Sequence, residues 1–394
     1  MKHFLLIISI LSMAMISFGK LLLEYEWKYL DLLWESPQQK QEAINSGRYN
    51  ASAAFFYDVD KALDGRIFIT AVRDKGIPVS VLTITDKQGE GGQLLRPYPD
   101  WSWYKDDCKG ITGGVYNIEI VCNHMFVVDD GRIGDDQVCS PQILIFDLST
   151  DKLVKRVTVP IEIAHNKTGT GLLSSVAVFV PHCRNVKNDA IIFTADVEGA
   201  GLVMYNGPTS KMCRIESDFM KQAVDPYFII ANQSYLLPDT IYGLAIIGRD
   251  LYYATLTGCQ IYKVDISKLI ECSETDINQA NKDTQSFAIQ GPTAMLSSNK
   301  CTLFFSDVTK TSLMCMDTAK EINFKNMELV AYDPKHLEFP SGLKIRHGEL
   351  LVLSNRYHLH ISNKLNINEI NFRFLSMPIA EIEKNTNCFS SCKY

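Results

Sequence analysis

The chain has 394 residues, 46% of them hydrophobic, and a formal net charge of -6. That mildly acidic balance argues against nucleic acid or an anionic membrane surface as partner, because both reward a basic face. Beyond residue 19 no stretch approaches the roughly 20 apolar residues that a membrane-spanning helix requires.

At the amino end, Met1 to His3 is a short basic start and Phe4 to Phe18 an almost unbroken apolar run. Ser17 and Gly19 supply small residues three and one positions before a signal-peptidase cut. The run is too short to span a bilayer, so residues 1–19 read as a signal peptide and 20–394 as one secreted domain. Losing Lys2 would take the charge from -6 to -7, since the leader carries no acid. Tyr25 to Ser36, Gln38 to Ile44 and Ser217 to Ala223 suggest short helices.

From there the pattern is β. Six segments share one plan: an apolar strand ending in a small or polar residue, a turn, and a second apolar strand. They are Arg66–Arg73 with Val79–Ile84, His124–Asp130 with Gln142–Leu148, and Ala190–Asp196 with Leu202–Asn206. Leu251–Thr255 with Gln260–Asp265, Thr302–Asp307 with Ser312–Asp317, and Glu349–Asn355 with His358–Ser362 complete the set. The arms are rich in Val, Ile, Leu, Phe and Tyr and bounded by Gly, Asp, Asn or Lys, which is strand chemistry. Nearly continuous apolar runs suit strands buried on both faces between stacked sheets. Strand ends at Ala71, Asp129, Ala195, Thr255, Ser306 and Ser354 suit one four-stranded blade per unit. A closed ring would bury the end faces that a lone hairpin cannot. The expectation is an all-β, six-bladed β-propeller with a central channel, against the simpler alternative of two β-sandwiches.

Eleven cysteines lie between Cys108 and Cys392, without a Cys-x-x-Cys zinc spacing. An oxidising compartment would pair most of them, and the odd number leaves at least one over. Asn50, Asn166 and Asn232 begin N-x-S/T sequons in polar contexts, as a glycosylated secretory product would.

The wording of several stretches resembles the yellow / major royal jelly protein family of insects. They are Asp107–Cys122, Gln137–Leu148, Ala190–Asn206, Asp225–Ile229, Leu237–Ile246, Phe339–Ile345 and Leu353–His358. The likeness runs over nearly the whole chain beyond the leader and feels nearest to the salivary members of blood-feeding sand flies. It implies a six-bladed propeller with disulfides, of which Cys122 with Cys139 and Cys108 with Cys183 are the first pairings to test. It also implies a monomer secreted in saliva that binds biogenic amines (serotonin, catecholamines, histamine) in the channel. Such a scavenger would oppose host haemostasis and inflammation and would need no cofactor and no metal.

An arylalkylamine needs acceptors for its ammonium and apolar or aromatic walls for its ring. By the resemblance, Ser341 and Asn355 would accept from the ammonium, Phe339 and Tyr357 would wall the ring, and Gln290 would address a hydroxyl. On their own terms the same residues also read as core aromatics, an Asx-type turn at Asn355 and turn chemistry at Ser341.

Enzyme signals are weak. There is no H-E-x-x-H, G-x-S-x-G or G-x-x-x-x-G-K-[ST]. His358 and His360 could be half a metal site on a strand, and Asp129, Asp130, Asp135 and Asp136 a calcium loop, but a solvated or hydrogen-bonded role is the simpler reading. The alternatives to a scavenger are a melanin-pathway enzyme acting on dopachrome and a nutritive or structural secreted protein.

Overall fold

The computed structural model describes residues 20–230, 233–272 and 277–391. The expected leader (residues 1–19), Asn232 and Cys392 lie outside them. Six four-stranded antiparallel sheets follow one another along the chain. Their innermost strands are Phe56–Lys61, Ile118–Val121, Leu173–Phe179, Ile241–Ile247, Leu296–Asn299 and Phe339–Arg346, which define blades 1 to 6. Each packs on the next and blade 6 packs on blade 1, so the ring is closed. The all-β six-bladed propeller is therefore the fold.

The apolar arms become the second and third strands of the blades. Ile191–Asp196 and Thr302–Asp307 are buried along their whole length, as continuous apolar runs between stacked sheets require. Blade 6 departs from the expected plan. Its second strand is Glu349–Asn355, but the third is Phe372–Pro378, and Tyr357–Ile361 is one helical turn. The Asn355 side-chain oxygen accepts the Tyr357 backbone N–H at 3.1 Å and starts that turn. His358 and His360 thus do not share a strand face: His358 is buried 3.5 Å from Glu338, and His360 stacks on Phe55.

The fourth strand of blade 6 comes from the other end of the chain. Leu22–Trp27 pairs with Phe372–Ser376, from Leu22 opposite Ser376 to Trp27 opposite Phe372. The helix expected from Tyr25 is therefore a strand up to Trp27, and the first α-helix is Pro37–Asn45. Ladder pairing satisfies the backbone there, and Trp27 is fully buried with its indole N–H on the Gln93 carbonyl. Ser217 to Ala223 holds only the 3-10 turn Asp218–Met220.

The disulfides are Cys108–Cys139, Cys122–Cys183, Cys213–Cys272 and Cys315–Cys388, with Cys301 also bonded and Cys259 free. The first expected pairings exchange partners. In blade 2, Asp129 faces Gln142 and His124 faces Asp147, so Cys122 and Cys139 lie at opposite ends of the sheet and cannot meet. Asp129 and Asp130 form no calcium loop. Their carboxylates accept the backbone N–H groups of Thr112, Gly113 and Gly131, and of Gly114 and Arg132, respectively. Asn50 is exposed and Asn166 half-buried.

Candidate binding site at the channel mouth

Where the innermost strands start, the channel widens into a cavity of about 210 Å³. Five of its eleven lining residues are aromatic. Tyr57 comes from blade 1, Tyr116 from the approach to blade 2, Tyr242 from blade 4, and Phe339 and Tyr357 from blade 6. Tyr57 meets Tyr116 edge-on at 4.9 Å between ring centres, and Phe339 lies 4.9 Å from Tyr357. Leu172, Val197 and Leu256 fill the side toward blades 3 and 4. Burial holds all four phenols well above their ordinary titration range, so they remain neutral hydroxyls.

Two acids complete the lining, Glu198 and Asp239, and no lysine, arginine or histidine does. Glu198 sits on the turn between the second and third strands of blade 3 and is paired with Arg132 at 3.1 Å. Asp239 is half-buried on the approach to blade 4. The next residue fixes it: the Thr240 hydroxyl donates to the carbonyls of Val197 at 2.8 Å and Asp196 at 3.2 Å. Burial, then the nearby Glu198 charge, push the Asp239 carboxyl up to about 6.

Of the residues chosen from sequence, Phe339, Ser341 and Tyr357 line this cavity. Ser341 donates to the Tyr57 carbonyl at 2.6 Å and accepts from the Asn355 amide at 2.7 Å. Asn355 is fully buried behind the wall. Its amide donates to Ser341 and to the Phe56 carbonyl, and its oxygen holds the Tyr357 N–H, so it positions its neighbours. Gln290 lies elsewhere. It is exposed, accepts from the Lys310 ammonium at 2.8 Å, and lines a separate cleft of about 690 Å³ along blade 5.

Sequence reasoning missed Tyr57, Tyr116, Tyr242 and Asp239. Tyr116 and Tyr242 stand beside the first residues of innermost strands, so the logic that found Phe339 would have reached them if applied to every blade. Asp239 carries no local pattern, because a carboxylate in a Pro-Asp-Thr loop reads as turn chemistry.

A cluster of ion pairs joins the innermost strands of blades 1, 2 and 6. It comprises Asp58 and Asp60, Asn117 and Glu119, and Lys344 and Arg346. The Lys344 ammonium lies 3.3 Å from Asp58 and 2.9 Å from Glu119, and Arg346 lies 2.7 Å from Asp60 and 2.6 Å from Glu119. Burial raises Asp58 to about 7 despite Lys344, whereas Arg346 and Lys344 hold Glu119 low in spite of its burial. Among the described residues no group of three or more His, Cys, Asp or Glu side chains is arranged to hold a metal ion.

A hairpin packs against the Phe339 side of the cavity. Between blades 3 and 4 the chain forms a two-stranded hairpin, Tyr227–Ile230 with Gln233–Leu236, that pairs with no blade. It reaches across to blade 6, where Phe228 packs on Phe339 at 6.1 Å and Tyr235 on His358 at 5.5 Å.

Major royal jelly protein 8 of Apis mellifera is 33% identical over 388 residues, covering 93% of this chain and 92% of its own. Major royal jelly protein 1 of the same species is 33% identical over 392 residues, covering 92% and 88%. Among solved structures, a virginiamycin B lyase from Staphylococcus aureus superposes with a TM-score of 0.41 at 12% identity, covering 77% of this chain and 78% of that one. An aldose sugar dehydrogenase from Streptomyces coelicolor gives 0.43 at 10%, covering 81% and 93%. Those two scores are too low to argue from. The profile of the family described as major royal jelly protein matches residues 114–388, and with these relatives it places the chain in the yellow / major royal jelly protein family.

Proposed function

We propose that this protein is a secreted binder of biogenic amines, taking one aromatic amine into the cavity at the channel mouth. The single observation behind the reading is the lining itself: five aromatic rings and two carboxylates with no cationic side chain. Aromatic faces attract an ammonium by about 0.5–2 kcal/mol each when desolvated, and their width suits a flat ring. Family membership and the disulfides support an extracellular setting. The biological use proposed with it is sequestration, in saliva, of serotonin, catecholamines and histamine that drive host haemostasis and inflammation.

Calorimetric titration with serotonin tests the reading. One-to-one saturable heat, displaced by dopamine or histamine, supports it. Absence of heat with all three overturns it and leaves a nutritive or structural role.

One observation favours a second, catalytic reading. An Asp239 carboxyl near 6 in an aromatic pocket is poised to move a proton on an aminochrome such as dopachrome. Consumption of dopachrome by substoichiometric protein would support it, and recovery of unchanged ligand would reject it.

A further inference from the structure

We infer that Asp239 is the residue that holds the ligand's ammonium group, so that the site grips a cation by a formal charge and not by the hydroxyl and amide of blade 6. The inference rests on the amine-binding reading above and assigns its anchoring group.

The blade 6 acceptors are already committed. The Asn355 oxygen serves the Tyr357 N–H behind the wall. The Ser341 hydroxyl is engaged by the Asn355 amide and the Tyr57 carbonyl, which leaves it at most one weak acceptor site. Asp239 is in the opposite condition. It lines the cavity half-buried, and among the described residues neither a hydrogen bond nor an ion pair engages its carboxyl. Glu198, the other acid of the lining, is paired with Arg132.

The phenols point the same way. Asp239 shares its cavity with Tyr57, Tyr242 and Tyr357, which come from three different blades. A cation bound at Asp239 would therefore lie among those rings. The other charged groups near these rings have partners of their own: Arg132 pairs with Glu198, Asp58 with Lys344, and Asp130 accepts from the Gly114 and Arg132 backbone N–H groups. His358 faces Glu338, and His360 stacks on Phe55.

The test compares Asp239→Asn, Glu198→Gln and Ser341→Ala with the unaltered full-length protein, using serotonin in calorimetric titrations from pH 5 to pH 8. Thermal melts verify that each variant is folded. Asp239→Asn should weaken binding by roughly 10- to 100-fold, the range of a lost hydrogen bond to a charged group. In the unaltered protein, affinity should be full above pH 7 and fall as the pH drops through 6, with the fall absent from Asp239→Asn and retained in Glu198→Gln. Equal affinity in Asp239→Asn and the unaltered protein would overturn the inference while leaving amine binding intact. So would a larger loss in Ser341→Ala than in Asp239→Asn, or a pH dependence abolished only by Glu198→Gln. Failure of the unaltered protein to bind serotonin, dopamine or histamine would instead remove the reading on which the inference stands.

Discussion

A carboxylate held among four phenols and a phenylalanine costs the fold something whenever no cation is bound to it. Asp239 has its carboxyl raised from 3.8 to about 6. The folded chain thus binds that proton more tightly than the unfolded one. The group favours the fold at low pH, and this contribution is lost as the pH rises through 6. Asp239→Asn should therefore stabilise the unliganded protein by roughly 1–3 kcal/mol at pH 7.5 and leave it unchanged at pH 4. Chemical denaturation at the two pH values measures both arms, and equal stabilities at pH 7.5 would show the charge to be well solvated. Asn355 belongs to the opposite class. Its side chain joins Phe56, Ser341 and Tyr357, and Asn355→Ala should cost about 1–3 kcal/mol by stranding buried partners, again measured by denaturation. Residues of this kind explain what could be read in advance. Phe339 and Tyr357 were legible because strand ends in a propeller converge on the channel. Whether Asn355 faced a ligand or closed a turn depended on a hydrogen bond two residues away, which residue type alone does not decide.

Elements behave similarly. Every second strand was visible as an apolar run, because burial on both faces leaves little freedom in composition. Besides the helix expected over Ser217 to Ala223, the errors came at blade 6, where chain order and spatial order part company. His358–Ser362 has strand-like spacing but follows an Asn that nucleates a helical turn, and Tyr25–Trp27 needs a partner more than 340 residues away. The hairpin between blades 3 and 4 was also beyond reach, since its sequence does not say which surface it lies on. It exposes Tyr227, Ile229 and Leu236 outward and is held by Phe228 and Tyr235 through ring packing. Its amides should exchange with solvent faster than those of Ile241–Ile247 in the unliganded protein, and slow when an amine is bound. Hydrogen exchange read by mass spectrometry distinguishes the two segments. Equal protection in the absence of ligand would make the hairpin a fixed part of the wall.

At the scale of the whole molecule, blades 1, 2 and 6 meet in one cluster of ion pairs. Lys344 is buried between Asp58 and Glu119, so Lys344→Met would leave two acids without a cation that both now share with it. The expected loss is about 3–5 kcal/mol, the usual consequence of breaking one side of a buried pair. Denaturant unfolding measures it, and a neutral result would mean that Asp58, raised to about 7, takes up a proton to compensate. The ring itself was legible from six repeated hairpins, but its occupant was not, because the cavity is assembled from strand starts spread between Tyr57 and Tyr357.

The pairing of Leu22–Trp27 with Phe372–Ser376 also sets a schedule. During synthesis the amino-terminal strand is made first, yet its partner emerges only after five blades have been completed. Until then Leu22–Trp27 has no ladder to join, and the last blade offers an unprotected edge to any neighbouring chain. Assembly order is thereby the reverse of synthesis order at this one seam. The long wait falls on Leu22–Trp27, which must be kept from pairing with strangers until the ring can shut.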